Sequence, residues 1–142
     1  MLSFLLPALL HGLGFAAAPA PVSVTVVVTA LVSSQSAVKL NFYNAPGGFL
    51  KEKGEALQLI VHPGGKNSIT VPVELFPGEW AVALTQDTNN NDLLDTNFLG
   101  IPTEPYAFSN NVRPRFSAPK FEECKFAVSE PGLVVSIALQ AK

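Results

Sequence analysis

The chain has 142 residues, of which 48% are hydrophobic and 14% are charged, and its formal net charge is -2. This length predicts one domain with a sizeable core, and such a high apolar content with so little net charge excludes an intrinsically disordered chain. The lysines and arginines are scattered from Lys39 to Lys142 without a basic run, so the sequence also excludes a nucleic-acid interface.

The N-terminal segment is apolar and ends in small residues. Residues 2–18 carry no charge and are interrupted by Pro7, and Ala16-Ala17-Ala18 resembles a signal-peptidase cleavage region. The segment is too broken to predict a stable membrane span. We predict a signal peptide or apolar segment at residues 1–18, one mature domain at residues 19–142, and export to the periplasm, the cell envelope or the medium. An uncleaved apolar anchor is the alternative.

Alternating and β-branched runs dominate the mature region and predict an all-β fold. Pro72 predicts an edge strand or a bulge at that position, because proline cannot donate to a ladder. Trp80, Val82 and Leu84 share one strand face, which we expect to pack in the core. Cys124 is the only cysteine and is expected to be a small buried residue in a strand. The fold class is a seven-stranded antiparallel β-sandwich, transthyretin-like or immunoglobulin-like, with strands at residues 22–31, 37–43, 57–62, 68–75, 79–86, 121–128 and 132–140.

Regular patterning stops between residues 87 and 120, which predicts a long ordered loop, and loops of this length are usually functional or tied down. Oxygen-bearing groups at its start have the spacing of a calcium loop. The predicted Ca²⁺ ligands are the side chains of Asp87, Asn89, Asn91 and Asp95 and the carbonyl of Leu93. Asp92 stands where an EF-hand has glycine and Phe98 where it has glutamate, while Asp92 or Glu104 could add an oxygen. The alternative is a turn whose side chains cap their own backbone without a metal.

Aromatic and basic side chains follow in the same segment. Phe98, Tyr106, Phe108 and Phe116 are interspersed with prolines and two arginines. They predict either an exposed platform for a glycan, peptide or protein partner at the cell envelope, or anchors that pin the loop onto the domain. We favour anchoring, because a long loop needs contacts to offset its ordering entropy. The platform residues would be Glu104, Tyr106, Phe108, Arg113 and Arg115.

The sequence contains no recognised catalytic motif. Ser109 lacks the glycine-flanked elbow of hydrolases, and the sequence His-Pro-Gly-Gly predicts a turn at His62. The sequence therefore favours a non-enzymatic binding or structural module with a calcium-stabilised acidic loop. The alternative is a small-molecule or glycan-binding carrier, or a hydrolase, that uses residues 87–120 as a lid.

A distinctive motif occupies the second half of this segment. It reads Gly100-Ile-Pro-Thr-Glu104-Pro-Tyr106-Ala-Phe108-Ser-Asn-Asn111, and Pro119-Lys-Phe121-Glu122 follows. The motif resembles a family of small exported bacterial proteins known only as a domain of unknown function, and the resemblance extends over about residues 22–140. This chain departs from the family pattern at Asp92 and Ala107, where the family has glycine, and at Cys124, where it has a small residue. The resemblance implies a secreted β-sandwich and no established activity. The turn Leu75-Phe-Pro-Gly-Glu-Trp80 is also similar to one in transthyretin-like and carboxypeptidase-associated domains.

Overall fold

The computed structural model describes residues 18–91 and 103–139. Residues 1–17 of the signal or apolar segment predicted at residues 1–18 lie outside the described residues. The same is true of the predicted ligands Leu93 and Asp95, and of Asp92 and Phe98. The strands are β1 (Val22–Thr29), β2 (Val38–Tyr43), β3 (Leu57–Val61), β4 (Ile69–Leu75), β5 (Gly78–Gln86), β6 (Tyr106–Phe108), β7 (Phe126–Val128) and β8 (Leu133–Ala138). The helical segments are α1 (Phe121–Cys124) and two 3-10 turns, Pro46–Gly48 and Ser109–Asn111.

The strands form two sheets. The three-stranded sheet has the order β4-β1-β8, and the five-stranded sheet has the order β3-β2-β5-β6, with β7 also pairing with β5. The β1–β8 pair is parallel, and the other pairs among the described residues are antiparallel. The all-β fold class is confirmed. Residues 18–91 and 103–139 contain eight strands where seven were predicted, and one pair is parallel where all were predicted antiparallel.

Alternation along the strands directs one face of each sheet into a common core. In β4 the buried residues Ile69, Val71, Val73 and Leu75 alternate with exposed ones. Both sheets contribute to this main core, so they are joined through it, and each fully buried Val, Leu or Phe side chain contributes roughly 1.5–3 kcal/mol. Its buried members are Val24, Val26, Val28, Val38, Leu40, Phe42, Ile69, Val71, Val73, Leu75, Trp80, Val82, Leu84, Ala107, Val128, Val135, Ile137 and Leu139.

Two details of the predicted strands agree with the structure. Trp80, Val82 and Leu84 are buried in the main core, and the Trp80 indole N–H donates to the carbonyl oxygen of Phe76 at 2.9 Å. Pro72 lies in β4, which is an edge strand of the three-stranded sheet.

The strand predicted at residues 121–128 is wrong in its first half. Residues Phe121–Cys124 form the helical turn α1, and only Phe126–Val128 are extended. The Glu123 carboxylate accepts a hydrogen bond from the Lys120 N–H at 2.7 Å, which closes the first turn. Phe121 and Cys124 are buried on the same side of this turn, because residues three apart share a helix face. Their apolar spacing therefore fits a helical turn better than a strand.

A second cluster covers the outer face of the five-stranded sheet. We call it the outer cluster; its buried members are Tyr43, Phe49, Ala81, Ala83, Phe108, Phe121 and Cys124. Ala81 and Ala83 alternate along β5 with the main-core residues, so they point away from the main core. The Phe49 ring lies edge-on to Tyr43 at 5.2 Å and to Phe121 at 5.9 Å. The segment after β2 and α1 are therefore held against the sheet by aromatic packing.

Two glycines allow the segment between β2 and β3 to fold back on itself. A Cβ atom on Gly54 would collide with the carbonyl oxygen of Gly48, and one on Gly48 would collide with that of Gly54. Lys51 N–H donates to the Gly48 oxygen at 3.1 Å, and Gly54 N–H donates to the Lys51 oxygen at 3.0 Å. This close backbone contact positions the segment that carries Phe49.

A buried glutamine fastens the connection between β1 and β2. Gln86 is fully buried at the end of β5. Its Oε1 accepts from the N–H groups of Val32 at 3.0 Å and Ser33 at 3.1 Å. Its Nε2 donates to the carbonyl oxygens of Ser33 at 2.6 Å and Ser36 at 3.0 Å. The carboxamide thus satisfies four backbone groups of a segment that has no strand partner of its own.

Candidate functional site

The acidic loop connects β5 to β6. The β5–β6 pairing places Thr85 opposite Tyr106, and the Gln86 N–H extends it by donating to the Pro105 carbonyl oxygen at 3.0 Å. By this register Glu104 is the next residue across from Asp87. The neck of the loop therefore has one carboxylate residue on each side.

The first residues of the loop fold into a tight turn. The Asn91 N–H lies 3.2 Å from Asp87 Oδ1 and 3.3 Å from Asn89 Oδ1, and Asn90 has a positive φ of 55°. Three predicted ligand residues, Asp87, Asn89 and Asn91, are thus brought together. Side-chain oxygens that cap a backbone N–H are what the metal-free alternative predicts. Among residues 18–91 and 103–139, no group of three His, Cys, Asp or Glu residues is arranged to hold a metal.

The predicted platform residues are divided between the interior and the surface. Glu104 and Phe108 are buried, with exposed fractions of 4% and 7%. Tyr106 is half-buried, and its ring lies 5.7 Å from that of Phe108. Phe108 and Tyr106 thus anchor the segment against the outer cluster. Strand β6, which carries them, lies within residues 87–120, where the sequence predicted a loop and no strand.

The remaining platform residues lie further along. Arg113 Nη2 donates to the Ala138 carbonyl oxygen on β8 at 2.6 Å. Arg115 is exposed, and Phe116 is completely exposed. This aromatic side chain does not anchor the loop; it is the apolar group that the segment presents to solvent.

Ser109 joins three parts of the structure. Its hydroxyl is completely buried, accepts from the Val82 N–H at 2.9 Å and donates to the Cys124 carbonyl oxygen at 2.5 Å. β5 and α1 are thereby linked through the turn that follows β6. The hydroxyl is fixed by structural hydrogen bonds, which suits a structural role.

The two asparagines after Ser109 fasten the same turn to other elements. Asn110 Nδ2 donates to the carbonyl oxygens of Glu123 at 3.1 Å and Lys125 at 2.9 Å, just where α1 ends. Asn111 Oδ1 accepts from the Ala138 N–H at 2.9 Å on β8. Both asparagines have positive φ angles, 61° and 51°, a conformation that asparagine tolerates better than most residues. The sequence motif indicated a family but not this turn, and its adjacent asparagines were the available signal of a tightly hydrogen-bonded turn.

His62 and Cys124, the other candidate reactive groups, differ in exposure. His62 is exposed just after β3. Cys124 is fully buried in the outer cluster, and burial, followed by the charge of Glu123, raises the pKa of its thiol to about 11. The reactive form of cysteine is the thiolate, so this thiol is unreactive at neutral pH.

We expect thiol reagents to leave Cys124 unlabelled in the native protein at neutral pH and to label it fully in denaturant, as read by intact-mass spectrometry. The pKa of the folded thiol lies above that of an unfolded one, so its contribution to stability is present below about pH 9 and lost as the pH rises through about 11. Cys124→Ala should reduce this alkaline loss in urea titrations. The loss of stability at alkaline pH that remains in this variant should come from Tyr43, whose pKa is also raised by burial and by Glu55. Rapid native labelling would contradict the assignment.

Comparison with known proteins gives one family. A family model described as an uncharacterized protein conserved in bacteria (DUF2141) matches residues 26–135. The match begins within β1 and ends within β8, so it includes the acidic loop and the Ser109–Asn111 turn. No curated protein and no solved structure matches. None of the helices within the described ranges is long and apolar enough to cross a membrane.

Proposed function

The chain belongs to the DUF2141 family of uncharacterized bacterial proteins, and from this premise we propose that it is an exported, non-enzymatic β-sandwich module whose acidic loop binds Ca²⁺. The bound ion orders residues 87–120, and the module presents the exposed part of that segment to a glycan or protein partner at the cell envelope. The apolar segment before residue 19 supports export.

One observation carries the calcium proposal. The oxygens of Asp87 and Asn89 lie within 3.3 Å of the same backbone nitrogen, and the β5–β6 register brings Glu104 across from Asp87. Like charges opposite each other on a strand pair are unfavourable, and a hard cation with oxygen ligands offsets that repulsion. Asp95 and the Leu93 carbonyl complete the proposed ligand set.

The placement of the reactive side chains supports binding rather than catalysis. The Ser109 hydroxyl is held by Val82 and Cys124, and the Cys124 thiol is buried with a raised pKa. In contrast, Arg115 and Phe116 are exposed next to each other. An aromatic ring beside a guanidinium is typical of a contact surface, so these two residues are the proposed contact point.

Calcium should raise the melting temperature of the chain, because a ligand that binds only the folded state stabilises it. At a hundredfold excess over Kd the gain is about 2.7 kcal/mol, a rise of roughly 5–10 °C for a domain of this size. Melts are recorded by circular dichroism with millimolar Ca²⁺, with Mg²⁺ and with chelator. We expect a rise that is selective for Ca²⁺.

Asp87→Asn separates the charge from the turn, because asparagine keeps an oxygen for the Asn91 N–H. We expect this variant to melt at or slightly above the wild type in chelator, because it no longer places a charge opposite Glu104, and to lose most of the calcium response. Glu52→Gln, at an exposed acid in a different loop, is the matched control and should respond in full. An Asp87→Asn variant with an undiminished response, or a wild type with none, rules out the calcium site.

A further inference from the structure

Within residues 18–91 and 103–139 the two sheets have four edges, and three of them are protected against pairing with another strand. Free edges attract other strands unless they are blocked. Edge strand β8 is covered by Asn111 and Arg113, which bond its backbone at Ala138. β4 carries Pro72 in its middle and the charged Glu74 beyond it. The edge opposite β3 consists of β6 and β7, which have three residues each.

The fourth edge, β3, has none of these devices. Its sequence, Leu57-Gln58-Leu59-Ile60-Val61, contains neither a charge nor a proline. Leu57, Leu59 and Val61 pack against the main core but are only partly buried, and Ile60 is 57% exposed. A strand added at this edge would cover apolar surface that the molecule itself leaves uncovered.

The backbone of β3 also has N–H and C=O groups that could pair with a further strand. The bond from Asp87 N–H to the Ala37 oxygen shows that odd-numbered residues of β2 bond β5. The even-numbered residues of β2 therefore bond β3 at Leu57, Leu59 and Val61. The N–H and C=O groups of Gln58 and Ile60 point away from the sheet, and within residues 18–91 and 103–139 no hydrogen bond to them is formed.

We propose that a second copy of this chain pairs its own β3 antiparallel to this edge, centred on Leu59, so that the two five-stranded sheets become continuous. In this register Gln58 of each copy exchanges two backbone hydrogen bonds with Ile60 of the other. Leu59 faces its own counterpart and extends the apolar core across the axis. The interface is isologous, the usual form in symmetric dimers.

The charges around the edge favour a copy of the same chain. The strand is uncharged, so self-pairing places no like charges opposite each other within the ladder. In the same register His62 of one copy lies opposite residue 56 of the other, next to Glu55, so the ends of the ladder bring no two carboxylates together. Five paired residues bury much less than the roughly 1,200–2,000 Å² of a stable interface. The dimer is therefore weak, with dissociation in the micromolar range or above.

Sedimentation velocity of the chain tests the proposal over concentrations from about 5 to about 500 µM. We expect a reversible shift from monomer to dimer. Ile60→Glu places a negative charge on each copy beside the axis, while Lys39 lies opposite position 60 within the same chain and supports the fold. This variant should weaken association at least tenfold. Val134→Glu, at a residue 59% exposed on the outer face of β8, is the matched control and should associate like the wild type.

A cysteine at the centre of the ladder tests the register. Leu59→Cys should give a disulfide-linked dimer on mild oxidation, because residues facing each other in a non-bonded antiparallel pair have close Cβ atoms. Val134→Cys should remain monomeric under the same conditions. A wild type that is monomeric at the highest concentration overturns the proposal, as does a dimer that Ile60→Glu leaves intact. If β3 pairs only with a strand of a different protein, the wild type will stay monomeric, which is the first of these outcomes.

Discussion

Gly54→Ala is expected to lower the free energy of unfolding by about 2–4 kcal/mol, because the new methyl group needs space that backbone atoms occupy. The added Cβ would meet the Gly48 carbonyl oxygen, its carbon and its Cα. Backbone atoms cannot rotate away as a flexible side chain can, so the whole segment between β2 and β3 must move. That movement displaces Phe49 and weakens its packing against Tyr43 and Phe121.

Gly47→Ala is the matched control for this substitution. Nothing lies within 4 Å of the Cβ that it adds, so we expect a change within about 0.5 kcal/mol. Equilibrium urea unfolding, followed by tryptophan fluorescence of Trp80, measures both variants. Equal stability of the two would mean that the contact between Gly48 and Gly54 is not maintained in solution.

Gln86→Leu is expected to cost about 3–5 kcal/mol, since four backbone groups lose the hydrogen bonds that the fully buried Gln86 side chain provides. Leucine has nearly the volume of glutamine, so the loss comes from hydrogen bonding rather than from a cavity. Val32, Ser33 and Ser36 contribute the groups left without a partner. The connection between β1 and β2 should also exchange its amide hydrogens much faster.

Gln35→Leu serves as the control, because Gln35 lies in the same connection but is exposed. It should unfold within about 0.5 kcal/mol of the wild type. Hydrogen exchange measured by mass spectrometry distinguishes local loosening of residues 31–37 from global destabilisation. A Gln86→Leu variant that matches the control in both measurements would contradict the structural role of this glutamine.

The long strands were predictable because their alternation is local. The runs in β1, β2, β4 and β5 repeat every second residue, and the structure places their strands within two residues of the predicted ends. The errors fall on short elements. β6 has three residues and is set by its pairing with β5, while α1 depends on a bond from Lys120 to Glu123. Neither gives a repeating pattern. The parallel β1–β8 pairing was also missed, since periodicity does not determine which strands become neighbours.

The motif from Gly100 to Asn111 predicted the family but not its own structural role. The family that it indicated is confirmed by the match over residues 26–135. Its physical role emerged only from the contacts of Ser109, Asn110 and Asn111, whose partners lie as far away as Val82 and Ala138. Such partners are distant in sequence, so spacing cannot reveal them. In the candidate loop, the capping of the Asn91 N–H by Asp87 and Asn89 is local in sequence, while the position of Glu104 across from Asp87 required the β5–β6 register.

In the three-stranded sheet β1 pairs with β4, which begins about forty residues after it, and with β8, which is more distant in sequence. Val26 lies opposite Val71 of β4 and Val135 of β8. During synthesis, β1 and β4 can meet early, but the three-stranded sheet stays incomplete until β8 has left the ribosome. Contacts between such distant residues slow folding, because the intervening chain must first be ordered. A nascent chain that cannot complete this sheet stays unfolded longer, and the proposed export would require such an unfolded chain.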